Sequence, residues 1–174
     1  MMYKKNLKNL SVLVGFDILK TDCEAIVNPV YCMGIGANVL ALHFEQTFPD
    51  NFAAYKAACE DGKVRPGKIF PFQIGPQKWI INFPTKRHWR MKAQLPDIVN
   101  GMDDLEAWLR TQPVKSIAIP PLGRGAGGLA WAVEKLVIKT ILTPAMLNGL
   151  KVKLYEPFPN QPTLKDCSPA SSAV

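Results

Sequence analysis

The sequence predicts an α/β fold in which one sheet carries helices on both faces. Three observations lead there. Short apolar runs bounded by Gly, Pro, Asp or Asn alternate along the chain with longer segments whose apolar residues recur at helical spacing. The chain has 174 residues, 48% of them hydrophobic, which suffices for the core of one domain. No sustained heptad or Gly-X-Y repeat competes with that reading.

Taken in order, Ser11 to Val14 and Glu24 to Val27 are expected as the first two strands, delimited by Gly15, Asp17, Asp22 and Asn28. Val39, Leu40, Leu42, Phe44 and Phe48 mark a helix that Gly34 and Gly36 open, and Asp50 is expected to cap a second helix running to Cys59. Lys68 to Phe72 and Trp79 to Phe83 read as strands joined through Gly75 and Pro76, with Pro84 ending the second. From Asp97 to Arg110, the residues Ile98, Met102, Leu105, Trp108 and Leu109 give an amphipathic helix one apolar side. Ser116 to Ile119 is a strand stopped by Pro120 and Pro121, Trp131 to Leu142 a helix, and Lys151 to Tyr155 the last strand. The folded domain is expected over 1–159. Residues 160–174, rich in Pro, Ser and Ala, are expected as a disordered tail or linker.

No window reaches the roughly 18 consecutive apolar residues of a membrane span, and the stretch from Lys4, Lys5 and Lys8 to Val14 lacks the apolar core of a signal peptide. No membrane partner is expected. Cys23, Cys32, Cys59 and Cys167 form no Cys-x-x-Cys pair and the chain has only two His, so neither a zinc site nor a disulfide framework is implied. Reduced thiols in a cytoplasm are the expectation. Lys and Arg number 21 against 14 Asp and Glu, a net charge of +7 that favours an anionic partner.

The segment Leu122, Gly123, Arg124, Gly125, Ala126, Gly127 and Gly128 lies between a predicted strand and a predicted helix. Glycines let backbone approach a ligand closely, and a helix N-terminus adds partial positive charge, so the segment is a candidate diphosphate cradle. Its Gly-x-Gly-x-x-Gly spacing comes too late in the chain for a dinucleotide-binding fold, where that loop follows the first strand. A plain structural turn is the other reading. Gly34 and Gly36 would supply a second wall, and two such loops converge at the C-terminal edge of an open sheet. Asp17 is placed to accept from the exocyclic amine of a base, and Asn28 to bond a ribose hydroxyl; either residue also fits a turn or cap.

Between Asn82 and Lys92 the chain reads Asn-Phe-Pro-Thr-Lys-Arg-His-Trp-Arg-Met-Lys. Arg87, Arg90 and Lys92 can neutralise phosphates while Trp89 offers a stacking face, the composition of a single-strand contact or of a merely solvated surface. Lys86 stands nearest the strand end, where burial would lower its pKa and free the amine as a nucleophile. His88 is a candidate proton carrier or a structural histidine, and His43 is assigned to packing or surface. No Ser-His-Asp order or suggestive carboxylate pair appears.

These residues resemble a macrodomain of the DNA ADP-ribosyl glycohydrolase antitoxin (DarG) type. The matching stretches include Asp17-Ile18-Leu19, Ala25 to Asn28, Phe48 to Phe52, Tyr55 to Cys59, Pro66-Gly67-Lys68, Ile81 to Arg90, Ile117 to Gly123 and Gly127-Gly128-Leu129. The resemblance implies a mixed sheet with helices on both faces, Lys86 as catalytic residue, and the glycine loops as walls for diphosphate and distal ribose. It puts Asp17, with Ile18, against adenine. It implies ADP-ribose and ADP-ribosylated single-stranded DNA as ligands, a DNA ADP-ribosyltransferase toxin as partner, and neither cofactor nor metal. Arg87, His88, Trp89, Arg90 and Lys92 would meet the DNA. The chain departs from the family at Phe16, where Gly is usual, at Tyr31, where Asn is usual, and at Gly36-Ala37-Asn38-Val39, where the family reads Met-Gly-Lys-Gly. Arg124, Ala126 and Ala130 stand where Cys, Asn and Asp are common. A non-catalytic reader of ADP-ribose or of the modified strand, and a general nucleotide-phosphate binder, are the alternative expectations.

Overall fold

The computed structural model describes residues 8–36, 38–124 and 127–156. The expected tail 160–174 and the loop residues Gly125 and Ala126 lie outside the described residues. Six strands form one sheet: β1 (Leu10–Val14), β2 (Ala25–Tyr31), β3 (Phe70–Gly75), β4 (Lys78–Lys86), β5 (Ser116–Ile119) and β6 (Lys151–Glu156), in the spatial order β1-β6-β5-β2-β4-β3. Only β3 runs antiparallel to its neighbour, so the sheet is mixed as expected.

Side chains alternate across the sheet and divide the core in two. Val27, Phe83, Ile117, Ile119 and Leu154 face α3 (Leu95–Thr111) and α4 (Trp131–Leu147), which pack against each other over them. Ile26, Ile80 and Ala118 face the other way, against Phe44 of α1 (Val39–Thr47), while Val30 meets Tyr55 and Ala58 of α2 (Pro49–Glu60). Gly101 lets α3 sit close to β4, since a Cβ there would stand 2.5 Å from Phe83 Cζ. Because five strands are parallel, Val14, Tyr31, Lys86, Ile119 and Glu156 all end at one edge. Every candidate loop springs from it.

Three local expectations are corrected. Asn28 does not delimit the second strand, since β2 continues through it to Tyr31. Pro84 does not end β4, which continues to Lys86. The β3 pairing reaches only Asn82, so beyond it β4 is an edge on that side and a missing N–H costs no ladder bond there. Asp50 is not the cap of α2: the helix begins at Pro49, whose fixed φ suits a first position, and Phe48 precedes it without a side-chain cap. The cap chemistry lies one helix earlier, where Asn38 Oδ1 accepts from Ala41 N–H at 2.9 Å and starts α1.

Candidate functional site

Asp17 follows β1 and caps the short 3-10 turn Ile18–Lys20, its Oδ1 accepting from Leu19 N–H at 3.0 Å. It also lines a cavity of about 410 Å³ with Gly15, Phe16, Ile18, Val39, Leu40, His43, Pro120, Pro121, Tyr155 and Glu156. The capping reading of Asp17 is thus observed, with one oxygen held by the turn, and the base contact stays an expectation. His43, expected as packing or surface, is exposed on α1 and joins that wall. Ile18 is buried beneath it.

Asn28 is buried in β2, its Nδ2 donating to Asn82 Oδ1 at 3.0 Å. Asn82 in turn donates to Asn51 Oδ1 at 2.7 Å and to the Phe70 carbonyl at 3.2 Å. Among the described residues Asn28 Oδ1 has no hydrogen-bond partner. A buried acceptor without a partner can take one hydrogen bond, the property the sequence expectation for Asn28 requires. The first glycine loop follows β2: Gly34 has φ +67° and packs against Lys56 and Cys59 of α2, while Gly36 is exposed beside Glu45 of α1.

Lys86 closes β4. It reaches Tyr31 through a bulge, because Val30 pairs with Pro84 but Tyr31 with Lys86, leaving Thr85 as the extra residue. Lys86 is buried, its Nζ lies 4.9 Å from the Tyr31 ring centroid, and it donates to the Trp89 carbonyl at 3.3 Å. Burial lowers its pKa from the ordinary lysine value, in the direction the sequence suggested. The basic residues that follow divide by what they touch. Arg87 is bound to Asp97 of α3 at 3.3 and 3.5 Å. His88 Nδ1 accepts from Arg90 N–H at 3.1 Å, and its ring stacks on Trp89 with centroids 5.6 Å apart. The Arg90 guanidinium lies 4.6 Å from the Trp89 ring. Trp89, Arg90 and Lys92 are exposed.

The second glycine loop is anchored from below by a residue the sequence reading did not single out. Glu134, fully buried in the first turn of α4, accepts from Leu122 N–H at 2.7 Å and Gly123 N–H at 3.0 Å. Two backbone donors expected to face a diphosphate are thus spent inside the protein. Burial raises the Glu134 pKa, and those two N–H groups and the charge of Arg124 oppose the rise. Arg124 and Gly128 remain exposed, Gly128 beside Lys92. The loop from β4 joins the glycine loop directly, since Ala93 N–H donates to the Gly127 carbonyl at 3.0 Å. Lys86 therefore lies on the same side of the molecule as Gly123, Gly127 and Gly128, at the edge where the first loop also begins. An isolated carboxylate in the apolar run Trp131 to Leu142 was the available sign of Glu134.

A family model described as Macro domain matches residues 27–137. A Thermus aquaticus protein named DNA ADP-ribosyl glycohydrolase is 42% identical over 147 residues, which are 83% of this chain and 40% of that protein. The solved macrodomain of Thermus aquaticus DarG superposes with a TM-score of 0.79 at 40% identity, over 85% of this chain and 98% of that one. A Thermosipho africanus protein named as a DNA ADP-ribosyl transferase-DNA ADP-ribosyl glycohydrolase fusion is 26% identical over 172 residues, 88% of this chain and 43% of that protein. Thermosipho africanus DarTG, solved in complex with ADP-ribose, superposes with a TM-score of 0.79 at 25% identity, over 93% of this chain and 45% of that one. The chain spans about 40% of the length of the Thermus aquaticus relative it matches.

Proposed function

The chain belongs to the macrodomain family, and on that premise we propose that it is a DNA ADP-ribosyl glycohydrolase, a hydrolase that removes ADP-ribose from bases of single-stranded DNA. In this reading it is the antitoxin to a DNA ADP-ribosyltransferase toxin and works in the cytoplasm, where Cys23, Cys32 and Cys59 stay as free thiols. The observation that carries the proposal is the buried Lys86 amine at the sheet edge shared by both glycine loops. Among the described residues no helix is long and apolar enough to cross a membrane.

Asp17 and the cavity around it take the adenine, and the exposed groups of the two loops take the diphosphate and distal ribose. Held there, the anomeric carbon comes within reach of Lys86. The bond from that carbon to the base nitrogen breaks, its electron pair leaving with the nitrogen, which takes a proton from water. The Lys86 lone pair closes on the cationic carbon and the amine gives up a proton. Water then attacks the same carbon, its proton passing to the Lys86 nitrogen as the carbon–nitrogen bond breaks, so that Lys86 leaves as the neutral amine and ADP-ribose is freed. Arg90 and Lys92 hold the DNA backbone and Trp89 stacks an unpaired base, while His88 Nε2 is free to carry a proton. Arg87, tied to Asp97, shapes this turn as well as adding charge.

A second reading is a non-catalytic reader, favoured by the first loop, where Ala37 and Val39 stand in place of the glycines that let backbone approach the distal ribose. Release of ADP-ribose from an ADP-ribosylated oligonucleotide separates the two. Turnover by the wild type and its loss in Lys86→Ala, with ADP-ribose still bound, is the expected result. Equal turnover by both proteins would remove Lys86 from the reaction. Binding without turnover in either would establish the reader.

A further inference from the structure

Tyr31 stands out because nothing in the proposed reaction uses it, yet it is the only ring on which a buried cation rests among the described contacts. The bulge at Thr85 is what brings the two together: at unbroken register the residue opposite Tyr31 would be Thr85 itself. Thr85 Oγ1 donates to the Val30 carbonyl at 3.2 Å and fixes the bulge. On the other strand, Tyr55 Oη donates to the Tyr31 carbonyl and holds its main chain to α2. Both backbones are therefore fixed where the side chains meet.

We infer that Tyr31 is a positioning residue for Lys86, its ring and the Trp89 carbonyl together aiming the amine toward the space between the two glycine loops. The inference rests on the glycohydrolase reading for its chemistry and on the contact alone for its geometry. Lysine has a long flexible stem, and an amine that must meet one carbon gains from being held in one rotamer. The ring face and the carbonyl dipole both favour the ammonium form; burial opposes them and prevails, so the pKa lies below the ordinary value. The phenol of Tyr31 is itself pushed up by burial, so the ring is neutral at neutral pH and acts through its face.

Neighbouring polar groups just after β2, in the turn after β4 and on α3 have other partners. Arg87 and Asp97 pair with each other, His88 Nδ1 accepts from Arg90 N–H, and Cys32 N–H donates to the Lys86 carbonyl. Among the described residues no carboxylate forms an ion pair with Lys86.

The test reads Lys86 directly. Trace acetylation with acetic anhydride between pH 6 and 11, quantified on the Lys86 peptide by mass spectrometry, gives the titration midpoint of this one amine in the full chain. The proteins are wild type, Tyr31→Phe, Tyr31→Met, and a form with pentafluorophenylalanine at position 31, which keeps the ring's bulk and reverses its charge distribution. Tyr31→Phe should leave the midpoint within about 0.3 units, whereas the fluorinated and Met forms should lower it by about one unit. On an ADP-ribosylated oligonucleotide those two forms should lose about tenfold in kcat with little change in KM, and the acid limb of kcat should move with the midpoint. A common midpoint in all four proteins would overturn the inference, and the fluorinated form decides it should Tyr31→Met fail to fold. Shifted midpoints in a protein without turnover would uphold the contact and refute the glycohydrolase reading instead.

Discussion

Removing the Glu134 carboxylate should loosen the second glycine loop from beneath. In Glu134→Ala the Leu122 and Gly123 N–H groups, bonded at 2.7 and 3.0 Å, lose their acceptor in a place where water does not reach. A buried donor left unpaired costs about 1–3 kcal/mol, so two cost about 2–6 kcal/mol. Against that stands the relief of a carboxylate that burial disfavours, which its raised pKa records. The balance falls near the lower half, about 2–4 kcal/mol, and for a domain of this size each kcal/mol moves Tm by about 2–4 °C. A fall of roughly 4–16 °C is expected, together with at least a tenfold loss in ADP-ribose affinity, because the freed donors no longer fix the loop. Differential scanning calorimetry and isothermal titration with ADP-ribose measure the two quantities. A variant melting within about 1 °C of wild type with unchanged affinity would refute the anchoring argument.

Further outcomes follow from the same geometry. Because the folded state holds the Glu134 proton to higher pH than the unfolded chain, its ionisation costs stability as pH rises from about 4.5 through the raised folded value; below that window the penalty is absent. Chemical denaturation across pH should therefore show wild type losing ground relative to Glu134→Gln as pH rises through that window. Gly101→Ala gains helix propensity of about 1 kcal/mol but sets a Cβ 2.5 Å from Phe83 Cζ, so urea denaturation should show a net loss of about 1–2 kcal/mol. Arg90→Ala should weaken single-stranded DNA binding and lower the slope of log affinity against log salt by about 0.7, as loss of one phosphate contact requires. Arg87→Ala should cost about 1–2 kcal/mol in a melting experiment, since the Asp97 side chain, only 12% exposed, is left without its charged partner.

The strands and helices were readable because their periods are local. Ile98, Met102, Leu105 and Leu109 show the α3 stripe within one segment, and all four are buried. The edge at which the loops gather was readable too, since alternating strands and helices imply parallel neighbours. What stayed hidden depends on register between distant residues. Tyr31 meets Lys86 only because one extra residue sits in β4, and no single segment announces a bulge. Asn28 and Asn82, 54 residues apart, share a hydrogen bond that appears only when β2 and β4 align. Glu134 reads as an ordinary charged position on a helix until the chain before that helix folds back over it. Pro84 misled for a related reason: its effect depends on where the neighbouring strand stops.

The bond from Ala93 N–H to the Gly127 carbonyl has a thermodynamic corollary. If the proposed function holds, a strand of DNA that quiets the basic turn would also restrain the peptide that frames the proposed nucleotide pocket, and a nucleotide that quiets the pocket would restrain the turn. Whichever guest arrived first would lower the ordering cost met by the second, and that coupling would be equal in both directions. Intact modified strands would then be held more tightly than their two halves measured apart, and cleavage would release both products by ending that mutual aid.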